Sequence, residues 1–121
     1  MQRDPSEMNP AQLLRLRESF LELSTRSLGA AIGVDRRTVI RWEAGDPLSE
    51  ANAQALRELV EYTNRCVDDL VASHAPGEPI ITYRTDEDYR ASKPDRVLTA
   101  RWHRGAAERA ADRVSGWIDF A

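Results

Sequence analysis

The chain has 121 residues, enough for one compact domain or for a small module with an extension. Its 41% hydrophobic and 31% charged residues are those of a globular protein. No apolar run approaches the roughly 18 residues of a membrane span, and no charged-then-apolar leader precedes a cleavage site. A single cysteine, Cys66, excludes an intramolecular disulfide and fits a reducing, cytoplasmic setting.

Residues 1–7, MQRDPSE, are polar and aperiodic and predict a disordered tail, with Met8 a second candidate start. Asn9 before Pro10 is an N-cap with proline at the first helical position. Leu13, Leu16 and Phe20, with Leu14 and Leu21 beside them, continue the helix to about Glu22. Ser24 caps a short second helix with Leu28, Ala31 and Ile32 on its apolar face, and Gly33 ends it. Asp35 caps a third helix that runs to about Ala44 and stops at Gly45, with Pro47 beyond. Ser49 caps a fourth, with Glu50 at its positive end. Leu56, Val60, Thr63, Val67 and Leu70 follow in steps of four and three, the spacing of a seam against another helix. Packing within the chain is the commoner origin of such a seam, and pairing between chains is the alternative. Cys66, inside this pattern, reads as a structural thiol rather than a reactive one.

Ala75-Pro76-Gly77-Glu78-Pro79 breaks the helix and divides residues 8–74 from 75–121. Ile80–Arg84 is β-branched and aromatic, which predicts a strand. Thr85 caps a short helix carrying Asp86, Glu87 and Asp88 in its first turn. Lys93-Pro94-Asp95 predicts a turn, Val97–Trp102 a second strand, Gly105–Val114 a helix and Gly116–Phe120 a terminal strand. The fold class is thus mainly α, with a small α+β unit at the carboxyl end.

The charge is unevenly spread. Residues 24–42 carry Arg26, Arg36, Arg37 and Arg41 against Asp35 alone, whereas residues 48–79 set two arginines against six carboxylates. A positive patch on an acidic body can meet phosphates while the remainder discourages indiscriminate binding. On a helical wheel Arg36, Arg37, Ile40 and Arg41 share an arc of about 140°, with Val39 and Trp42 opposite. Val39 and Trp42 are therefore expected to anchor the helix on Leu28 and Ile32. A guanidinium fork matches guanine O6 and N7, and an exposed isoleucine can lie on a thymine methyl. Two helices joined by a short glycine-containing turn, the second opening on basic side chains, have the form of a helix-turn-helix.

LSTRSLGAAIGVDRRTVIRWEAGDPLS, residues 23–49, resembles the helix-turn-helix of the Cro/Xre-type bacterial and phage repressors. The resemblance rests on the Gly-Val turn with its polar cap, then Thr38-Val39 and Trp42-Glu43-Ala44-Gly45. It implies a lambda-repressor-like bundle, with Arg36, Arg37 and Arg41, beside Ile40, at base-reading positions and Ser24, Thr25, Arg26 and Thr38 at phosphate-contacting ones. Two departures stand out. Such repressors commonly have glutamine where this chain has Thr25. Many also place an arginine on the first helix opposite Glu43, where the matching residue is Glu18, so Arg17 or Arg15 has to serve.

A looser resemblance, carried by Gly77-Glu78, Ile80–Arg84, Asp86–Tyr89 and Arg101-Trp102, is to the anti-CRISPR-associated repressors. It implies a homodimer on an inverted repeat that represses its own operon. Tyr83, Trp102, Trp117 and Phe120 are many large apolar side chains for so short a unit; burial between two chains is the simplest solution, and packing on the long fourth helix is the alternative.

His74 and His103 lie on different segments with no cysteine at ligand spacing, so no metal site is expected. His103, between Arg101 and Arg104, is expected on a surface loop. No phosphate-binding glycine loop and no nucleophile–base constellation is present, so neither a cofactor nor an enzymatic activity is expected. The reading is a sequence-specific DNA-binding repressor with no membrane association. The alternative is an antitoxin that grips a toxin through the residues after Gly77, and the basic helix is also compatible with an RNA hairpin.

Overall fold

The computed structural model describes residues 3–92 and 98–121. It is mainly helical, with a small two-stranded sheet near the carboxyl end. The chain divides into two compact units, residues 1–61 and 62–121. The division falls inside the long fourth helix, not at the Ala75–Pro79 break, because the later half of that helix packs with the carboxyl-terminal unit.

In the first unit the capping residues behave as their chemistry dictates. Asn9 and Gln12 satisfy each other's backbone amides at the start of α1, Pro10–Arg15. The chain then continues into a π-helical turn, Leu16–Leu21, closed by Glu22 in the left-handed conformation. Ser24 accepts from the Ser27 amide to open α2, Thr25–Ile32, and Asp35 accepts from the Arg37 amide to open α3, Arg36–Glu43. Between them Gly33 sits at φ 76°, where a side chain would be strained. Gly29 is constrained differently: a Cβ there would lie 2.6 Å from the Val34 carbonyl oxygen, so only glycine lets the turn fold back on α2. Leu13, Leu16, Leu21, Leu23, Leu28, Val39, Trp42, Ala53, Leu56 and Leu59 are buried. The last three belong to α4, Glu50–Ser73, which Ser49 caps by accepting from the Asn52 amide.

Residues 4–7 are not the loose tail that their polarity predicts. Asp4 caps a 3-10 turn, Pro5–Glu7, in which Pro5 is buried. Arg57 on α4 holds the strap, with Nε donating to Asp4 at 2.6 Å and one terminal nitrogen to Glu50 at 3.0 Å. The Arg57 guanidinium, and after it the Ser6 hydroxyl, pull the Asp4 carboxyl down to about 2 from its ordinary 3.8. A carboxyl lowered on folding contributes stability that is complete above the ordinary value and is lost as pH falls through about 2. We expect an NMR titration of the Asp4 carboxyl to give a midpoint near 2, and Arg57→Gln to raise it towards the ordinary value, with the Ser6 contacts retaining part of the lowering. An Asp4 titrating normally in the intact protein would mean the strap is not held.

In the second unit β1, Ile80–Thr82, pairs in parallel with β2, Ile118–Phe120, in the register Ile80–Ile118, Ile81–Asp119, Thr82–Phe120. Parallel pairing requires a crossover, which α5, Asp86–Ser92, and α6, Ala100–Arg113, supply. The core joins Val67 and Ile80 to Ala106, Ala107, Ala110 and Ala111 of α6, with Cys66, Leu70, Val71, Val114 and Ile118 at its margin. Thr63 and Val67 of the predicted seam are thus covered within the chain.

The strand expected at Val97–Trp102 does not form. Thr99 accepts from the Trp102 amide and Asp86 accepts from the Ala100 amide, so a helix begins at Ala100. Val97, like the predicted Lys93-Pro94-Asp95 turn, lies outside the described residues. No described helix is long and apolar enough to cross a membrane.

Candidate nucleic-acid interface

On α3, Val39 and Trp42 are buried while Arg36, Arg37 and Arg41 are exposed and Ile40 keeps 45% of its surface in solvent. The two apolar residues are held against α1 and α2, which fixes the helix's rotation and turns the other four outward. Among the described residues, none of Arg26, Arg36, Arg37 and Arg41 enters an ion pair. The patch therefore keeps its positive charge available.

Arg36 is the most constrained of the four. Its Nε donates to Thr25 Oγ1 at 3.2 Å, tying the first turn of α3 to the first turn of α2. Ser24 and Arg26 flank Thr25 at the same helix start and are exposed, whereas Thr25 and Thr38 are half-buried. The Ser24 hydroxyl is itself engaged, accepting from the Ser27 amide and bonded to the Ser27 hydroxyl at 3.0 Å. Among the described residues, Arg37 and Arg41 have no such side-chain partner.

Behind the patch lies a polar clamp. Arg17 donates from Nε to Glu43 at 2.7 Å, from one terminal nitrogen to the other Glu43 oxygen at 2.9 Å, and from its third nitrogen to the Leu23 carbonyl at 3.0 Å. This bidentate pair, largely shielded from solvent, fixes the end of α3 on the first helix. Glu43 raises the Arg17 guanidinium above its ordinary value, so the pair stays charged. Glu18, the position that simple alignment offers, is exposed. Arg17 lies in the π turn, whose extra residue changes which side chain faces inward.

The four aromatic residues expected at an interface part company. Trp102 keeps 2% of its surface: it stacks on Tyr62 at 5.7 Å and donates from Nε1 to Thr63 Oγ1 at 3.0 Å. It belongs to the core of its own chain and has no face left for another. Tyr83 is half-covered by the edges of Tyr89 and His103, and Phe120 lies under the Arg84 guanidinium at 4.1 Å. Trp117 remains 53% exposed. Strand alternation adds a residue that a list of aromatics misses. Ile81 points away from the core between buried Ile80 and Thr82 and is 44% exposed. His103 is likewise not on a surface loop: it is buried on α6, with Nδ1 2.7 Å from Thr82 Oγ1. Compared with known proteins, the chain matches no family model and no curated protein.

Proposed function

We propose that this chain is a sequence-specific DNA-binding repressor of the helix-turn-helix, lambda-repressor-like type. In this reading it binds an inverted repeat near its own gene as a homodimer. The observation that carries the proposal is the shared outward face of Arg36, Arg37, Ile40 and Arg41, held by the buried Val39 and Trp42. A solvated arginine face has no use for an isoleucine in its midst; a major groove does, because the thymine methyl is its one apolar feature. Ser24, Thr25 and Arg26 at the start of α2 supply donors and positive charge for a phosphate. The Thr25–Arg36 bond holds Arg36 towards the start of α2, which supports a backbone-contacting role for it and favours Arg37 as the principal base reader.

Footprinting the purified protein on the DNA upstream of its gene tests the proposal. Arg37→Ala is expected to cost about 1–3 kcal/mol of discrimination between operator and random DNA. Because Arg37 is exposed, the variant should melt like the wild type. Unchanged operator preference in a folded Arg37→Ala protein would remove it from base reading. Arg41→Ala should do less, lying later on the helix.

The exposed Ile81 and Trp117 also fit an antitoxin, whose toxin would cover them. Sedimentation of the chain alone separates the readings: a repressor dimer forms unaided, whereas an antitoxin awaiting its toxin stays monomeric.

A further inference from the structure

The small sheet has two edges, and the chain treats them differently. Ile80 donates to the Trp117 carbonyl at 2.8 Å, and Thr82 accepts from the Ala121 amide at 2.9 Å. Alternate residues of a strand present their backbone groups to opposite edges, so Ile80 and Thr82 face β2 while Ile81 and Tyr83 face away from it. On β2 the outward amide of Phe120 is taken by Asp119 Oδ1 at 2.8 Å, which blunts that edge against further pairing. β1 has no such stopper at Ile81. Among the described residues none bonds the Ile81 amide or carbonyl or the Tyr83 amide, and the Ile81 side chain is 44% exposed. A groove of about 320 Å³, lined by Leu70, Ser73, His74, Ile81 and Tyr83 among others, borders this edge.

A residue that offers both a donor and an acceptor on an open edge is self-complementary, because two copies related by a two-fold axis can exchange the same pair of bonds. We propose that the β1 edge pairs with β1 of a second copy, antiparallel and centred on Ile81, to make one four-stranded sheet in the order β2, β1, β1, β2. The inference rests on the homodimer of the proposed repressor and adds where its two chains meet. Centring on Ile81 places Tyr83 opposite Pro79 of the second copy, so the Tyr83 amide donates to the Pro79 carbonyl. Pro79 has no N–H to return, and none is needed, because the Tyr83 carbonyl already accepts from Arg104 at 2.8 Å. Carried one residue further, the same register sets Arg84 opposite Glu78 of the second copy, once at each end of the pairing. Both are exposed, and neither enters an ion pair among the described residues. Arg84 lies over the Phe120 ring at 4.1 Å, a stacking that leaves the edge of the guanidinium able to donate. The charges thus complement each other in this register, and the two Ile81 side chains cover one another.

Sedimentation velocity on the full chain, with gel shifts on a single operator half-site, tests the pairing. The wild type should dimerise. Glu78→Arg and Arg84→Glu each set two pairs of like charges across the axis and should weaken the dimer about tenfold. The two substitutions together restore opposite charges and should recover most of that loss, which a merely structural role of either residue would not produce. Ile81→Cys supplies a second readout. Opposed Cα atoms in such a pair lie about 5.5 Å apart, within disulfide reach. Mild oxidation should therefore join two Ile81→Cys chains faster than two Glu108→Cys chains, with the wild type and its Cys66 as background. All four positions are exposed, so the variants are expected to fold. A dimer that ignores the charge substitutions and does not cross-link through position 81 overturns the pairing. So do losses that the double variant fails to recover, and so does a monomeric wild type. In each case half-site binding, which one chain performs, shows separately whether the DNA reading stands.

Discussion

Trp102→Ala is expected to lower the unfolding free energy by about 3–5 kcal/mol, and by the same amount at every protein concentration. The indole is buried, stacks on Tyr62 and spends its one donor on Thr63 Oγ1, itself a fully buried hydroxyl. Truncation removes the ring contacts, opens a void beside Tyr89 and His103, and leaves the Thr63 hydroxyl without that donor. For a domain whose total stability is about 5–15 kcal/mol, this is a large fraction. Urea denaturation monitored by far-ultraviolet circular dichroism at two widely separated concentrations gives the answer. A residue that acted only at a dimer interface would behave differently, with a loss that shrinks on dilution, as wild type and variant both become monomers of equal stability. If Trp102→Ala shows that concentration dependence, its assignment to the core of one chain is wrong.

The helix starts were legible because a cap is a local transaction. Asn9, Ser24, Asp35 and Ser49 each bond an amide two or three residues ahead, and nothing distant is needed to predict it. The outward face of α3 was legible for a similar reason: its periodicity separates Val39 and Trp42 from the arginines. What failed depended on partners far along the chain. Residues 4–7 look like a tail until Arg57, fifty-three positions from Asp4, binds them. Trp102 reads as one more interface aromatic until Thr63 and Tyr62 are brought to it. The apolar and β-branched run Val97-Leu98-Thr99 suggested a strand, but Thr99 spends its hydroxyl as a helix cap. The π turn at Leu16–Leu21 has no local signature, since helix propensity does not distinguish the fourth from the fifth residue back as the hydrogen-bond partner. Arg17, one of two candidates opposite Glu43, could be chosen only once that turn was seen.

The double variant Ile81→Lys, Trp117→Ser is expected to be a folded monomer that has lost about 10²–10⁴ in affinity for the full operator and almost none for a single half-site. The proposal needs a dimer, because one recognition helix spans only a few base pairs, and a second one held at the right spacing turns the next half-site into an intramolecular event. Ile81 and Trp117 are the large apolar side chains that this unit leaves most exposed, and both belong to the strand segments paired at the carboxyl end. A tryptophan exposed beside an isoleucine is what a pairing surface presents before its partner arrives. Deleting everything after Ala75 would be a poorer probe, because it would also uncover Val67 and Thr63 on α4 and remove the Trp102 contact. The double variant leaves the core and the arginine face intact, so a loss confined to the two-site operator can come only from dimerisation. Sedimentation velocity and gel shifts on full and half operators supply the two readouts. A variant that stays dimeric with undiminished operator binding moves the interface elsewhere. A variant that becomes monomeric yet binds the full operator as before shows that repression does not rest on two linked half-sites.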